Sequence, residues 1–499
     1  MRTKVAIIGG GLAGLSAGCY AAMNGFEAHI FEHHTVPGGV AAAWKRGDYL
    51  IDGGIHFVMG YKPGTGMFKL LNELGAAEPT LFTDMNDYGK FIHESSGVSL
   101  AVTADIDELA SRLKTLAPVD AGIIDEIFNG ARKLRGHDLG TLGMSQPPEL
   151  SSIFTWAKET WQMLPFARYF AGRYSEKMSD FIKEVHTPWL KDFFCYLFMP
   201  ESPVWFVMMC LAIVADKQTG YLARGCQVFA LEIEKRFKKM GGTITYNATV
   251  AKILTENDRA VGIQLDDGKE FQVDDVISCG DSYNTIFNLL EGRYIDEKIT
   301  RRYETRPLCR PYLMASYGVK REFKDDLPFN TILLRKPVMV GDEMIKNLFI
   351  RIFNYSAHFA TPGKSVFQIE IETGFDHWFD LQKASRTDYE SSKANVAKEL
   401  LSRVEKYYPG ITGQVEVTDV ATPYTTWRYT LNHRASWGGW MLSADNILQN
   451  AERRLPGLRN FYMAGHWVLG GVPGVLYSGR HAVQLMCHDD GKKFVAASA

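Results

Sequence analysis

The chain of 499 residues carries 55 Lys+Arg against 57 Asp+Glu, is 46% apolar and 22% charged, and has a formal net charge of −2. This is globular composition, with length for about three domain-equivalents of roughly 150 residues each and ample material for a large buried core. The near-even charge balance argues against a nucleic-acid partner, which needs a strongly basic face. Seven scattered cysteines (Cys19, Cys195, Cys210, Cys226, Cys279, Cys309, Cys487) with no Cys-x-x-Cys pair argue against a disulfide scaffold or a metal centre, and suit a reducing, cytoplasmic compartment.

Lys4-Val5-Ala6-Ile7-Ile8 is a β-branched run that predicts a first strand buried on both faces, not a secretory leader. The sequons at Asn247 and Asn354 are then chance matches. No window reaches the roughly 18 apolar residues that span a bilayer. The longest, residues 204–215, has twelve, the length of a buried helix or an interfacial segment.

Gly9-Gly10-Gly11-Leu12-Ala13-Gly14 follows the first strand at once and fits G-x-G-x-x-G. Residues 15–23 predict a helix, Asn24-Gly25 its stop, and residues 26–31 a second strand ending in Glu32, eighteen positions after Gly14. The order strand, glycine turn, helix, strand, acid is the dinucleotide-binding arrangement. Gly9 permits the tight turn, Gly11 lets the backbone approach a pyrophosphate, and Gly14 lets helix pack on strand. The helix N-terminus, with Leu12 and Ala13, offers free N–H groups to phosphates. Glu32 accepts hydrogen bonds from ribose hydroxyls, with His33 beside it. The alternative is a structural glycine turn in some other α/β protein.

Two motifs are decoys. Gly14-Leu15-Ser16-Ala17-Gly18 matches a nucleophile elbow, but Ser16 falls inside the helix, after the turn. Gly363-Lys364-Ser365 lacks the P-loop glycine five positions earlier, where His358 stands. Pro37-Gly38-Gly39 and Asp52-Gly53-Gly54-Ile55-His56 are two further glycine turns that bracket a short strand. Either they let backbone run close to a flat cofactor or they are plain hairpin turns.

Residues 76–219 are mostly helical in pattern and rich in aromatics: Trp156, Trp161, Phe166, Tyr169, Phe170 and Tyr174, then Trp189, Phe193, Phe194, Tyr196, Phe198, Trp205 and Phe206. Residues 224–240 predict an amphipathic helix stopped by Gly241-Gly242. Residues 243–246 and 249–254 follow as strands, then a hairpin over 259–273 with its turn at Asp266-Asp267-Gly268. Residues 275–278 predict a strand running into Cys279-Gly280. Residues 346–354 and 366–372 alternate as strands, the latter placing Ile369 and Ile371 opposite Glu370 and Glu372. Residues 387–408 predict a helix capped by Thr387 and Glu390 and ended by Pro409-Gly410.

The closing segment runs Asn460-Phe461-Tyr462-Met463-Ala464-Gly465-His466, then Gly470-Gly471-Val472-Pro473-Gly474 to Gly479. A strand enters a glycine turn and a helix whose N-terminal dipole favours negative charge. This segment resembles the closing FAD motif of the phytoene desaturase, carotenoid isomerase and retinol saturase family, within the flavin amine oxidase superfamily. The likeness covers most of the chain in order. Asp52-Gly53-Gly54-Ile55-His56 looks most like the retinol saturase version, and residues 421–425 with Arg428-Tyr429 resemble the segment before the closing motif.

The resemblance implies an α/β fold: a Rossmann-type FAD-binding domain (1–75, 220–290 and 416–499) interrupted by a mixed α+β substrate domain (76–219 and 291–415), the two-domain plan of glutathione reductase and amine oxidases. It implies FAD held by Gly9, Gly11, Leu12, Ala13, Gly14, Glu32, His33, Gly38, Gly39, Val40, Gly54, Ile55, His56, Val250, Cys279, Gly280, Gly465, His466, Gly471 and Val472, with no metal. One departure is Val40. Superfamily relatives, amine oxidases above all, often place Arg or Lys directly after the Gly-Gly pair, so Val40 makes an amine oxidase the weaker alternative. A second alternative is a GTPase-escort protein of the same fold, which would not need both Glu32 and the closing motif.

The implied chemistry is desaturation, saturation or isomerisation at the C=C bonds of a long apolar isoprenoid, carotenoid or other lipid. FAD carries the redox step, and the protein binds it, orients the substrate and excludes water. His56, His466, Trp437, Trp440 and Tyr429 are the candidates near the flavin, with His56 or His466 as proton donor and Tyr429 and Trp440 shaping the site. Arg428 holds a carboxylate or phosphate, or pairs with an acidic neighbour. The aromatic stretch 156–215 reads as plain core, as the wall of a substrate tunnel, or as a peripheral membrane contact with 204–215 dipping into one leaflet. No second dinucleotide fingerprint is visible, which argues against a dedicated NAD(P)H domain and leaves the electron donor or acceptor unidentified.

Overall fold

Five short strands form one all-parallel sheet in the order Thr243–Thr245, Glu27–Phe31, Lys4–Ile8, Asp275–Ser278, Phe461–Met463. The computed structural model describes residues 3–152, 157, 161, 163–445 and 451–496; Trp156 lies outside them. The central strand Lys4–Ile8 is buried from Val5 onward, as a parallel strand covered on both faces must be. The helix Leu12–Met23 links it to Glu27–Phe31 and is buried over ten consecutive residues, because it lies between the sheet, the helix Cys226–Lys239 and the C-terminal helix Gly471–Asp489. Small residues make this possible. A Cβ on Gly18 would stand 2.9 Å from Phe237, and one on Gly479 would stand 2.4 Å from the Ala13 carbonyl.

A three-stranded antiparallel sheet (Val250–Glu256, Arg259–Leu265, Glu270–Gln272) packs beside this core, with Gly268 at φ +85° in its Asp-Gly turn. The rest of the chain enters as two insertions that build a single mixed sheet. Its order is Val415–Ala421, Tyr312–Val319, Ser365–Glu372, Glu343–Ile352, Phe329–Val340, Asp87–His93, Val98–Thr103. The first insertion thus supplies two strands where the pattern of 76–219 suggested mostly helix. Strand Val415–Ala421 sits at the edge of this sheet, so a boundary at residue 415 would detach it from its pairing partner Tyr312–Val319.

Three local expectations are corrected. The strand Ser365–Glu372 is buried on both faces through Ile371, so Glu370 does not point to solvent as its alternation implied. The long helix is Arg386–Val404, capped by Ser385, whose side chain accepts from the Asp388 N–H at 3.2 Å; Thr387 is the second residue of its first turn. Helix Val204–Ala215 is buried on nearly every side and packs on the helix Ala121–Leu134, where Gly130 leaves room for Met208. It has no free apolar face to enter a leaflet. Among the described residues no helix is long and apolar enough to cross a membrane.

Candidate flavin and substrate site

The C-terminal ends of the parallel strands meet the glycine turns along one edge, which is where doubly wound sheets bind ligands. Gly9 has φ +94°, and a Cβ on Gly14 would stand 1.9 Å from the Gly9 carbonyl oxygen, so both positions demand glycine. Gly11 caps the helix Leu12–Met23, leaving the N–H groups of its first turn, at Leu12 and Ala13, directed at the cradle. The second turn closes on the first: the Gly38 N–H donates to the Gly10 carbonyl at 2.9 Å, and Gly11 bridges Gly38. A Cβ on Gly11 would meet nothing closer than 3.9 Å, and one on Gly280 nothing within 4 Å. The chain therefore leaves open space where a dinucleotide's backbone contacts belong.

Glu32 ends the second strand, buried, with its carboxylate accepting from the Gly10 N–H at 2.5 Å and the His34 N–H at 2.7 Å. Burial raises its pKa, and those two donors pull against the rise. Ribose hydroxyls would supply further donors to the same oxygens. His33 contacts Thr249 Oγ1 at 2.8 Å, and the Ala248 N–H donates to the Glu32 carbonyl, which brings Val250 to the same nucleotide end. Cys279 and Gly280 follow the fourth strand of the edge, where burial pushes the Cys279 thiol well up and leaves it no role as a thiolate.

At the other end, Gly465 (φ +109°) donates its N–H to Ser478 Oγ at 2.8 Å, fixing the turn against the C-terminal helix. Gly471 (φ +74°) and Val472 open that helix. His466 is walled by Gly439 and Trp467, and its Nε2 is buried without a hydrogen-bond partner. Burial lowers its pKa to about 4, so the ring is neutral at ordinary pH. Trp440 packs edge-on against Trp467 (4.9 Å) and beside Tyr303 (4.8 Å), so it belongs to the His466 group. An orphaned polar atom on the residue after a glycine turn, open space at Gly11 and Gly280, and an acid at the ribose end together fit FAD.

The turn after the second glycine pair joins this cradle to the seven-stranded sheet. A Cβ on Gly54 would crowd the Val40 carbonyl at 2.9 Å and Cys226 Sγ at 3.0 Å, so Gly54 is the point where the two glycine turns touch. Asp52 pins the turn, accepting from Cys226 N–H at 2.7 Å and Gly54 N–H at 3.1 Å. Ile55 then packs back on the core of the parallel sheet, and His56 faces the seven-stranded sheet. His56 Nε2 meets Glu370 Oε2 at 2.8 Å, and its ring lies 5.2 Å from Phe349 and 5.6 Å from Phe329. Phe57, Tyr88, Tyr221 and Tyr355 extend this aromatic wall.

Tyr429 is not brought to either histidine of the site. It is exposed, with its ring edge-on to His34 at 4.8 Å, beside exposed Arg428, whose carbonyl meets His33 Nε2. Trp437 is exposed as well, at 6.0 Å from Tyr312. Three buried charged groups escaped sequence reasoning. Arg351 and Glu370 lie under His56, and Asp281 follows Gly280, accepting from the His433 and Asn284 N–H groups while burial raises it to about 7. Arg351 is signalled by a lone charge within an apolar run of its strand and Asp281 by an acid directly after a glycine turn, whereas Glu370 is hidden in an ordinary alternating strand. Both decoys are accounted for. Ser16 is fully buried and donates to the Leu476 carbonyl at 2.7 Å, and Lys364 pairs with Glu416 and Asp48.

The chain resembles known proteins over most of its length. The chain is 23% identical over 458 residues to a chloroplastic prolycopene isomerase of Daucus carota, covering 87% of this chain and 71% of that one. It is 22% identical over 476 residues to the all-trans-retinol 13,14-reductase of Rattus norvegicus, covering 88% and 77%. The crystal structure of an oxidoreductase from Methanosarcina mazei superposes with a TM-score of 0.58 at 16% identity, covering 96% of this chain and 100% of that one, which shows the shared fold. The family model of the flavin containing amine oxidoreductases matches residues 12–487, so the chain belongs to that family and is an FAD-dependent oxidoreductase.

Proposed function

We propose that this enzyme acts on the C=C bonds of a long apolar isoprenoid or carotenoid. The observation that carries the reading is the aromatic wall of Phe57, Tyr88, Tyr221, Phe329, Phe349 and Tyr355 set against His56, on the turn that also closes the FAD cradle. Such a wall binds a polyene by apolar and π contact, and the carboxylate behind it, Glu370, is already engaged by His56 and Arg351. The similarity to a prolycopene isomerase and a retinol reductase supports the same substrate class.

When bound, FAD supplies hydride and single-electron chemistry. The chain does the rest. Gly9 to Gly14, Glu32, His33, Gly38, Gly39, Val40 and Val250 hold the nucleotide. Gly54, Ile55, Cys279, Gly280, Gly465, Gly471 and Val472 line the flavin. His56, on the turn that closes the cradle, and His466, after the closing glycine turn, are the two imidazoles of the site, and Trp440 shapes the His466 end. Of the two, His466 is kept neutral by burial and serves as a hydrogen-bonding group, whereas His56 is backed by a carboxylate and suits proton transfer. The electron donor or acceptor is external to the chain. Trp161 and Leu164, both exposed, mark the surface through which a lipid phase would be approached.

The test is anaerobic. The purified protein should be yellow, and a colourless one would overturn the reading. Its flavin is reduced, a conjugated polyene is added, and both spectra are followed. Reoxidation in step with loss of a double bond establishes saturation. A flavin that stays reduced while the polyene changes geometry establishes isomerisation. No change in any polyene, with either flavin state, overturns the substrate class.

A further inference from the structure

Strands Glu343–Ile352 and Ser365–Glu372 pair antiparallel, with Phe349 opposite Glu370 and Arg351 opposite Gln368. Arg351, Gln368 and Glu370 are all buried. Glu370 Oε1 accepts from Arg351 Nη1 at 3.1 Å, and its other oxygen, Oε2, faces His56 Nε2. Arg351 also donates to the Asp52 carbonyl at 3.4 Å and the Ile55 carbonyl at 3.5 Å, both in the turn that carries His56. Gln368 Nε2 reaches the same Asp52 carbonyl at 3.2 Å. The guanidinium therefore clamps the turn's backbone and the carboxylate clamps its ring. The ring lies nearly parallel to Phe349, inclined by 30°, and among the described residues Nδ1 has no hydrogen-bond partner.

We propose that Glu370, held by Arg351, is the positioning residue for His56: it takes up the Nε2–H and leaves Nδ1 as the atom that exchanges a proton with the substrate. This rests on the role given to His56 above. A buried ion pair by itself holds a sheet no better than apolar side chains of the same volume. Here the second carboxylate oxygen is spent on His56, whose ring lies against the aromatic wall. A carboxylate on one imidazole nitrogen fixes the tautomer and frees the other nitrogen for proton transfer. Burial would raise Glu370, but His56 and Arg351 outweigh it and hold the carboxyl at about 2, ionised at any working pH. In the saturating direction one alkene carbon takes the Nδ1 proton through the π electron pair, and the other takes a hydride from reduced FAD. The imidazolium is left as neutral imidazole. In the desaturating direction Nδ1 accepts the proton from one carbon, that C–H pair forms the new π bond, and the hydride passes from the other carbon to oxidised FAD.

The test uses the full chain labelled with 15N at histidine, as wild type, Glu370→Gln, Glu370→Asp, His56→Gln and the double variant His56→Gln/Glu370→Gln. The wild type should show a strongly deshielded Nε2–H resonance that disappears in His56→Gln and moves upfield in Glu370→Gln, with FAD content unchanged. The kcat on a polyene should fall about a hundredfold in Glu370→Gln with KM changed less than threefold. The double variant should be no slower than His56→Gln. If Glu370→Gln does not fold because Arg351 is left unpaired, Glu370→Asp keeps the anion for Arg351 while withdrawing it from Nε2, and should lose the same resonance. An Nε2–H signal unmoved in the Glu370 variants, or losses that multiply in the double variant, would overturn the clamp. A wild type inert to every polyene would overturn the proposed function and the proton role of Nδ1, while the resonance would still decide whether the clamp exists.

Discussion

At the residue scale, the cradle separates two kinds of glycine. Gly14 is required by the protein itself, since its Cβ would overlap the Gly9 carbonyl at 1.9 Å. Gly11 has room in the protein and ordinary backbone angles as the cap of its helix. Gly14→Ala should therefore lower stability and flavin content together, while Gly11→Ala should fold with an unchanged melting midpoint and lose FAD affinity by about tenfold or more, because the methyl occupies ligand space. Flavin content after gel filtration, set against the melting midpoint, separates the two. His466 adds a pH signature. Its folded pKa of about 4 lies below its ordinary value of 6.5, so the unfolded chain binds the proton first. Stability is complete above pH 6.5 and falls as pH drops from 6.5 toward 4. Glu370, held at about 2 against an ordinary 4.5, contributes in a lower window: its stabilisation is full above 4.5 and is lost as pH falls toward 2. His481, which burial lowers to about 3, shares the first acid limb, so His466→Gln should make that limb shallower without abolishing it and leave the second, as denaturant titrations at stepped pH would show.

At the scale of elements, what the sequence made legible was local. Gly9 to Gly14 lies within one strand–turn–helix, and Glu32 follows at a fixed distance, so spacing alone places them. The closing turn at Gly465 and the helix from Gly471 are read in the same way. Illegible were features made by pairing between distant strands. Glu370 looked solvent-facing because alternation reports only one strand's pattern, and the groups that neutralise it come from other segments, Arg351 from the preceding strand and His56 from the distant glycine turn. Tyr429 was assigned to the flavin from its neighbours in sequence, but the helix Pro423–Thr430 turns it toward His34. Helix Val204–Ala215 carried no periodicity because it is covered all round, a pattern that core and membrane helices share. Close helix packing gives a prediction at this scale. A Cβ on Gly479 meets the Ala13 carbonyl oxygen at 2.4 Å and the Ala17 nitrogen at 2.7 Å, both backbone atoms that cannot step aside. Gly479→Ala should gain helix propensity yet cost about 1–3 kcal/mol net through displacement of the helix Leu12–Met23. Chemical denaturation would register that as a lower midpoint, and a rise would show that the two helices slide freely.

At the scale of the whole molecule, the cradle draws on residues from Gly9 to Val472, so FAD binding reports on the entire fold. The two layers are also bolted together directly. The hairpin Ala43–Arg46 and Tyr49–Asp52 leaves the cradle at Val40 and lies on the seven-stranded sheet. There Tyr49 donates to Glu416 at 2.7 Å, Trp44 to Asp419 at 3.3 Å, and Leu50 N–H to the Phe359 carbonyl at 2.8 Å. Arg351 and Gln368 reach back to the Asp52 carbonyl from inside that sheet. Most of these bonds are buried or half-buried and hold main chain, so neither layer can open without stripping partners from the other. FAD bound only to the folded state should stabilise both layers at once, by about 2.7 kcal/mol at a hundred times its dissociation constant. Apoprotein titrated with FAD should therefore melt in one transition whose midpoint rises with ligand, followed in parallel by flavin fluorescence and tryptophan emission. A second transition, fixed in temperature while the first one moves, would mean that the seven-stranded sheet folds independently and that the Asp52 hairpin is a tether without energetic coupling.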